Sequence, residues 1–149
     1  MKLFLDTNVI LENLLEREEF STVHRLFKKL QEMECTLFIS VGSFYTMIFL
    51  VDKYLRKELL LAGDLRIAAL RQIMLNILKT VRVAEHDNES LLQGVLNPVF
   101  SDMEDGCQYE VAKRIDCDIL LTFNAKDFPL LANNKPQVLT PQEFLDSIV

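Results

Sequence analysis

Lys2-Leu3-Phe4-Leu5-Asp6-Thr7-Asn8 is the stretch on which the reading of this chain turns. Four residues of mostly apolar character run straight into a carboxylate. Lys2–Leu5 is too short for a helix and too apolar for a loop, so it reads as a buried strand ending at Asp6. The pattern then repeats along the chain with helices between. Asn8 to Leu15 reads as a helical turn or two. Phe20 to Met33 carries Phe20, Val23, Leu26, Phe27, Leu30 and Met33 at helical spacing. Cys35–Ile39 is a second strand, and Ser40 caps a helix from Gly42 to about Arg56. Asp64 caps another through Leu65, Ala68, Ala69, Ile73, Leu75 and Leu78. Val81–Ala84 is a third strand. Asn88 to Leu96 is helical and stops at Pro98. Ser101-Asp102-Met103-Glu104 has the form of a capping box for a helix reaching about Ile115. Ile119-Leu120-Leu121-Thr122 is a fourth strand and Val138-Leu139 a fifth, with Pro141 opening the last helix. Strands separated by helices imply a parallel sheet with right-handed crossovers. The expected fold is therefore α/β: a three-layer α/β/α sandwich around a central parallel sheet of about five strands, with residues 1–149 as one domain.

Bulk properties fit that fold and exclude several functions. The chain has 149 residues, 50% hydrophobic and 26% charged, enough for one real core. The most apolar stretch, Thr36 to Val51, is interrupted by Ser40, Ser43 and Thr46 and closed by Asp52-Lys53, so no membrane span is expected. Asp6 and Asn8 fall where a signal peptide would need an apolar run. Cys35, Cys107 and Cys117 lack metal-ligand spacing and read as reduced thiols in a cytoplasmic protein. His24 and His86 are the only histidines, too few for a His-based zinc site. Four glycines, at 42, 63, 94 and 106, cannot build a nucleotide-binding glycine loop or a P-loop. A net charge of −6 argues against a protein that coats nucleic acid by electrostatics alone. It is compatible with a nuclease, because carboxylates that hold a cation reverse the local sign when it binds.

In open parallel sheets, ligands bind beyond the carboxyl ends of the strands. Asp6, Thr7 and Asn8 follow the first strand; Thr122, Asn124 and Asp127 follow the fourth. Asp102 and Asp105 lie three apart on one face of the capped helix. Gly106-Cys107 lets that helix pack closely on the sheet, which turns Asp105 toward the sheet end. Each residue also has a plainer reading. Asp102 and Glu104 could cap and charge a helix N-terminus, Asp6 could cap the next helix, and Asn8, Asn124 and Asp127 could form turns. Hard cations such as Mg²⁺ and Mn²⁺ take oxygen ligands. One or two of them can activate water and stabilise the leaving oxygen of a phosphodiester without a nucleophilic side chain. The sequence offers no persuasive Ser–His–Asp or Cys–His set.

Met1-Lys-Leu-Phe-Leu-Asp-Thr-Asn-Val-Ile-Leu-Glu12 resembles the opening of a PIN domain. Asp102-Met-Glu-Asp-Gly-Cys-Gln-Tyr-Glu-Val-Ala112 with Asp118-Ile-Leu-Leu-Thr-Phe-Asn-Ala-Lys-Asp-Phe128 resembles its closing half. The resemblance spans essentially the whole chain and implies a Mg²⁺- or Mn²⁺-dependent ribonuclease, many of which are VapC-like toxins silenced by an antitoxin. It implies Asp6 and Asp105 as metal ligands and Asp102 and Asp127 as supporting acids. Asn8 and Thr122 would orient ligands or the scissile phosphate. Two positions depart from the pattern. Thr46 stands where the motif begun by Ile39-Ser40 should carry Glu, and Asn124 stands for the usual last Asp. Both still offer neutral oxygens, so one well-held metal is expected rather than two.

Arg17, Lys53, Arg56 and Lys57 are the candidate RNA contacts, against the plainer reading of a solvated helix face. Leu59–Leu61, Ile67 and Leu70 read as core, although the resemblance places antitoxin or homodimer contacts in such a region. Two alternatives stand beside the ribonuclease: a PIN-like module that binds RNA or protein without cutting, and a phosphotransferase of the haloacid-dehalogenase type. The latter wants a second Asp where this chain has Asn8.

Overall fold

A computed structural model describes residues 1–128 and 135–149. Five parallel strands form one sheet: β1 (Lys2–Leu5), β2 (Thr36–Ser40), β3 (Arg82–Ala84), β4 (Ile119–Leu121) and β5 (Gln137–Leu139), in the order β3-β2-β1-β4-β5. The helices are α1 (Thr7–Leu14), α2 (Phe20–Glu32), α3 (Val41–Lys57), α4 (Gly63–Thr80), α5 (Asn88–Leu96), α6 (Met103–Arg114) and α7 (Pro141–Ser147). Side chains alternate across the strands, so each strand feeds two cores. Leu3, Leu5, Leu37, Ile39 and Leu121 face a core with α1, α2, α3, α4 and α7. Phe4, Leu120, Phe38 and Val138 face the opposite core, with Phe100 and the α6 residues Tyr109, Val111 and Ala112. These are the three layers that the sequence predicts.

The order of the strands locates the site. The chain runs outward from β1 through β2 to β3, then returns by α5 and α6 to place β4 on the other side of β1. The connections therefore diverge between β1 and β4, and a crevice opens beyond their carboxyl ends. Asp6 and Thr122 stand at those ends.

Helix starts follow local chemistry, with two corrections. Ser40 caps α3 as expected, its Oγ accepting the Ser43 N–H at 3.0 Å. Asp64 does not cap α4. That helix begins at Gly63, whose φ of +57° favours glycine, and Asp64 lies in its first turn, where its charge suits the helix dipole. Nor does Ser101 form a capping box. Asp102 is the cap of α6, its carboxylate accepting the Glu104 N–H at 2.8 Å. A shorter cap-to-amide span lets Asp serve two residues before Glu104, which frees Glu104 for another role.

The small pair Gly106-Cys107 does permit a close approach, but to α5 rather than to the sheet. A Cβ on Gly94 would lie 2.7 Å from the Cys107 backbone, and one on Gly106 would lie 2.8 Å from the Gly94 carbonyl oxygen. The two helices cross almost backbone to backbone. Beneath α6, Phe100 stacks edge-on to Phe128 at 5.3 Å and lies 5.6 Å from Tyr109. That aromatic knot ties the short 3-10 turn Ala125–Asp127 to the helix carrying Asp105. Among the described residues no helix is long and apolar enough to cross a membrane.

Candidate metal centre at the carboxyl end of the sheet

Asp6 ends β1 with its backbone extended and its N–H donating to the Leu121 carbonyl at 3.0 Å. It occupies the cap position of α1, yet its carboxylate makes no capping hydrogen bond. The carboxylate instead accepts the Thr122 hydroxyl at 3.0 Å, across the crevice between β1 and β4. It is only 5% exposed. Burial pushes its pKa above the usual carboxylate range, while Thr122, the Thr7 N–H and Gln108 pull the other way. Thr122 is itself fully buried, and its oxygen accepts the Asn124 N–H at 3.1 Å.

Asp105 approaches from the first turn of α6. Half-buried, it is pushed up to about 7, first by desolvation and then by the charges of Asp6, Asp102, Glu104 and Asp127. Asp105 thus lies in the field of the other three acids predicted from sequence. Asp102 and Asp127 are exposed, and Asp102 spends its carboxylate on the helix cap. Asn8 is exposed on the first turn of α1, and Asn124 is exposed before the 3-10 turn without a side-chain cap bond. Thr46 is half-buried on α3, one turn beyond the buried Ser43.

Arg56 is not a free substrate contact. It pairs with Asp52 at 3.2 Å, and Asp52 also holds Arg66 of α4 at 2.6 Å, an ion-pair network that pins α3 to α4. Arg17, Lys53 and Lys57 are exposed. Leu61 and Leu70 pack against the core as read, whereas Leu59 and Leu60 are exposed.

Glu104 was read from the sequence only as a helix-terminal acid, and Gln108 was not singled out. Gln108 is 3% exposed, and Glu104 accepts its side-chain N–H at 3.4 Å. Glu104 also feels Asp6 directly. The signal was spacing: Gln108 lies one turn beyond both Glu104 and Asp105, amid the buried residues Tyr109, Val111 and Ala112.

As placed, no three His, Cys, Asp or Glu side chains among the described residues stand close enough together to hold a metal ion. The acids are within Coulomb reach rather than at ligand spacing. In kind, the donor set suits a hard divalent cation. It is made of carboxylates, and the part of the Asp105 shift that comes from neighbouring charge, second to burial, is charge a cation would relieve. The buried Thr7 hydroxyl beside Asp6 also lacks a hydrogen-bond partner.

A parallel sheet with acids gathered at its switch point defines an α/β protein built around a carboxylate cluster. The sequence profile of the PIN domain family matches residues 2–126, and the chain belongs to that family. Its fold is similar to that of a chain of VapBC2 from Rickettsia felis, solved bound to a DNA fragment from their promoter. The two align over 94% of this chain and 98% of that one, with a TM-score of 0.64 and 16% identity, a likeness of fold. No curated protein matches the chain.

Proposed function

We propose that this protein is a Mg²⁺- or Mn²⁺-dependent endoribonuclease, the toxin of a toxin–antitoxin pair. The observation that carries the reading is the convergence of Asp6 and Asp105 from separate elements at the switch point, where burial first and neighbouring negative charge second push Asp105 up to about 7. PIN domains are generally nucleases. A structural neighbour from a VapBC complex supports the antitoxin partner.

Asp6 and Asp105 would hold the ion. A divalent ion there supplies Lewis-acid stabilisation of a phosphodiester oxygen and a more acidic water. Thr122 fixes the Asp6 carboxylate through its hydrogen bond, so that one ligand is oriented before any ion arrives. Asp102 and Asp127 add negative charge at the rim. Asn8, Asn124 and Thr46 orient substrate or water through neutral oxygens and amides. Lys53 and Lys57 on α3 are the basic contacts for RNA. The exposed Tyr45 and Phe49 of α3, Leu59 and Leu60 between the helices, and Leu65 of α4 form apolar surface for the antitoxin, and the exposed α5 residues Leu91, Leu92, Val95 and Leu96 suit a second copy in a homodimer. The protein would act in the cytoplasm.

Incubation of purified protein with a short single-stranded RNA is expected to give cleavage with Mn²⁺ or Mg²⁺ and none with EDTA. Asp6→Asn should cut at least about 100-fold more slowly while remaining folded, since Asn can still accept from Thr122. Cleavage indifferent to EDTA and to Asp6→Asn would sink the reading. Thr46 and Asn124, which supply no carboxylate, favour the second reading, an RNA-binding module that does not cut. RNA bound without cleavage in any divalent metal would establish it. The family match sets the phosphotransferase alternative aside.

A further inference from the structure

The outward face of α3 carries two aromatic rings, three cations and no acid. Ser43, Met47, Val51 and Leu55 form the buried stripe of this helix, one residue per turn. Its exposed residues fall on the opposite side: Gly42, Tyr45, Phe49, Lys53, Arg56 and Lys57. Such a face stands out in a chain of net charge −6. The one acid of the helix, Asp52, is half-buried and taken by Arg56 and Arg66. Lys53 and Lys57 have no ion pair among the described residues. In line with them, Tyr45 and Phe49 are 67% and 63% exposed.

The stripe has a direction. α3 starts at the carboxyl end of β2, and the register Phe4↔Phe38, continued two residues, puts Ser40 opposite Asp6. Tyr45 is therefore the ring nearer the crevice, and Lys57 lies about 18 Å further along the helix. Gly42 puts no side chain between Tyr45 and the sheet end. A Cβ there would stand 3.5 Å from the Nε2 of His86, which follows β3 at the same edge. Phe44 packs against the core and meets the Tyr45 ring at 6.4 Å and a steep 66°, which steadies it. Apolar residues scattered singly over a surface need no explanation, but two rings in line with unpaired lysines do. The combination suits a single nucleic-acid strand: bases of any sequence stack on aromatic faces, and cations follow the phosphates.

We propose that Tyr45, Phe49, Lys53 and Lys57 form a track for single-stranded RNA leading to the crevice, with bases stacked on the two rings and phosphates against the two lysines. This rests on the reading of RNA as the substrate, to which it adds the rings and a direction. It also accounts for RNA binding by an acidic chain: positive charge is concentrated on one helix face, while the carboxylates gather at the sheet end. An antitoxin seated on Tyr45 and Phe49 would silence the protein by taking the place of the RNA.

Fluorescence anisotropy with a labelled oligouridine tests the track on the intact protein in EDTA, so that binding is read without metal and without cleavage. Tyr45→Ala and Phe49→Ala should each weaken binding about 10-fold, the scale of one base–aromatic stack, and leave the salt dependence unchanged. Tyr45→Phe keeps the ring and should stay within about 2-fold of wild type. Lys53→Gln with Lys57→Gln should lower the slope of log affinity against log salt by about 1.4, which is about 0.7 for each phosphate contact on a single strand. Lys28→Gln with Lys79→Gln removes the same charge from exposed positions on α2 and α4 and should leave the slope alone. All the substituted side chains are exposed, and circular dichroism checks that each variant folds. An equal loss in the Lys28 and Lys79 control would reduce the attraction to bulk charge and overturn the track. Wild-type affinity in both alanine variants would overturn it too, as would a wild type that does not bind the RNA, which leaves the stripe to the antitoxin. RNA held in EDTA but left uncut when Mn²⁺ is added refutes the ribonuclease reading and leaves the track standing. Metal-dependent cleavage at the wild-type rate in the Tyr45→Ala, Phe49→Ala double variant, with RNA below its Kd, overturns the track alone.

Discussion

Asp105→Asn is expected to abolish metal-dependent RNA cleavage and, in the same protein, to raise the melting temperature of the metal-free form. The two effects share one cause. Asp105 is lifted from 3.8 to about 7 by burial and by Asp6, Asp102, Glu104 and Asp127. A folded pKa above the unfolded one means that the native state holds the extra proton across this window. The stabilising contribution is complete below about pH 4 and is lost as pH rises to 7. Above that, the folded protein carries a charge that its surroundings oppose. Asparagine keeps the shape and removes the charge. Solvent screens a half-exposed carboxyl, so the full shift is not available as stability; about 1–2 kcal/mol is expected at pH 8. For a chain of this size that is roughly 3–6 °C. The gain should shrink as pH falls through 7 and vanish below the unfolded pKa of 3.8, where Asp105 is protonated in both states. Mn²⁺ should reverse the order, because it stabilises only the protein that binds it. Thermal melts of both proteins at pH 5 and pH 8, with and without Mn²⁺, measure all of this. A variant that loses stability at pH 8 without metal would show that Asp105 is a structural carboxylate. Cleavage should fall at least about 100-fold, the scale on which one metal ligand matters to a hydrolytic centre.

That trade between stability and activity explains what was legible in the sequence. Strands β1, β2 and β4 declared themselves because both faces of a central parallel strand are buried, which writes an unbroken apolar run such as Leu3-Phe4-Leu5 or Ile119-Leu120-Leu121. Asp6 stood out because a carboxylate abutting such a run is costly unless it has a task. Strand order was not legible, since pairing is a non-local property. That Asp6 would meet Thr122, 116 positions away, came only with the fold. The capping residue was found to within one residue at α6, where Ser101 and Asp102 compete for the same orphan amides; at α4 the cap position is Ala62, two residues before Asp64, and no side chain caps it. Gln108 was overlooked for a different reason. A polar residue in a helix reads as solvent-facing, and only its apolar neighbours Tyr109, Val111 and Ala112 hinted that its stripe is buried. Arg56 was misread for the converse reason: a basic residue on a helix expected to flank the site invites a substrate role, and its partner Asp52 one turn back was equally visible.

Gly94→Ala should destabilise the fold and loosen the proposed metal centre together, although Gly94 is not part of that proposed centre. Alanine ordinarily stabilises a helix by about 1 kcal/mol over glycine. Here its Cβ would sit 2.7 Å from both the Cα and the N of Cys107, and 2.8 Å from the Sγ. Those contacts are mostly backbone, and backbone cannot rotate aside. α5 and α6 would have to move apart, opening the core around Phe100 and Tyr109. The net cost is expected to be about 1–3 kcal/mol, the usual range for overpacking. Melting should fall by roughly 3–10 °C. Gly106→Ala should behave alike, since its Cβ would meet the Gly94 carbonyl oxygen at 2.8 Å. Gly42→Ala is the control: its nearest neighbour would be the His86 Nε2 at an ordinary 3.5 Å, and its melting should stay within about 2 °C of wild type. The functional consequence follows from where α6 begins. Asp105, Glu104 and Gln108 all lie within two turns of the crossing, so a shift of the helix moves all three relative to Asp6. Mn²⁺ affinity measured well below the melting temperature should therefore drop in Gly94→Ala and stay unchanged in Gly42→Ala. Equal stability of the two variants would mean that the α5–α6 crossing has slack. In that case something other than the glycine contact holds Asp105 at the sheet end.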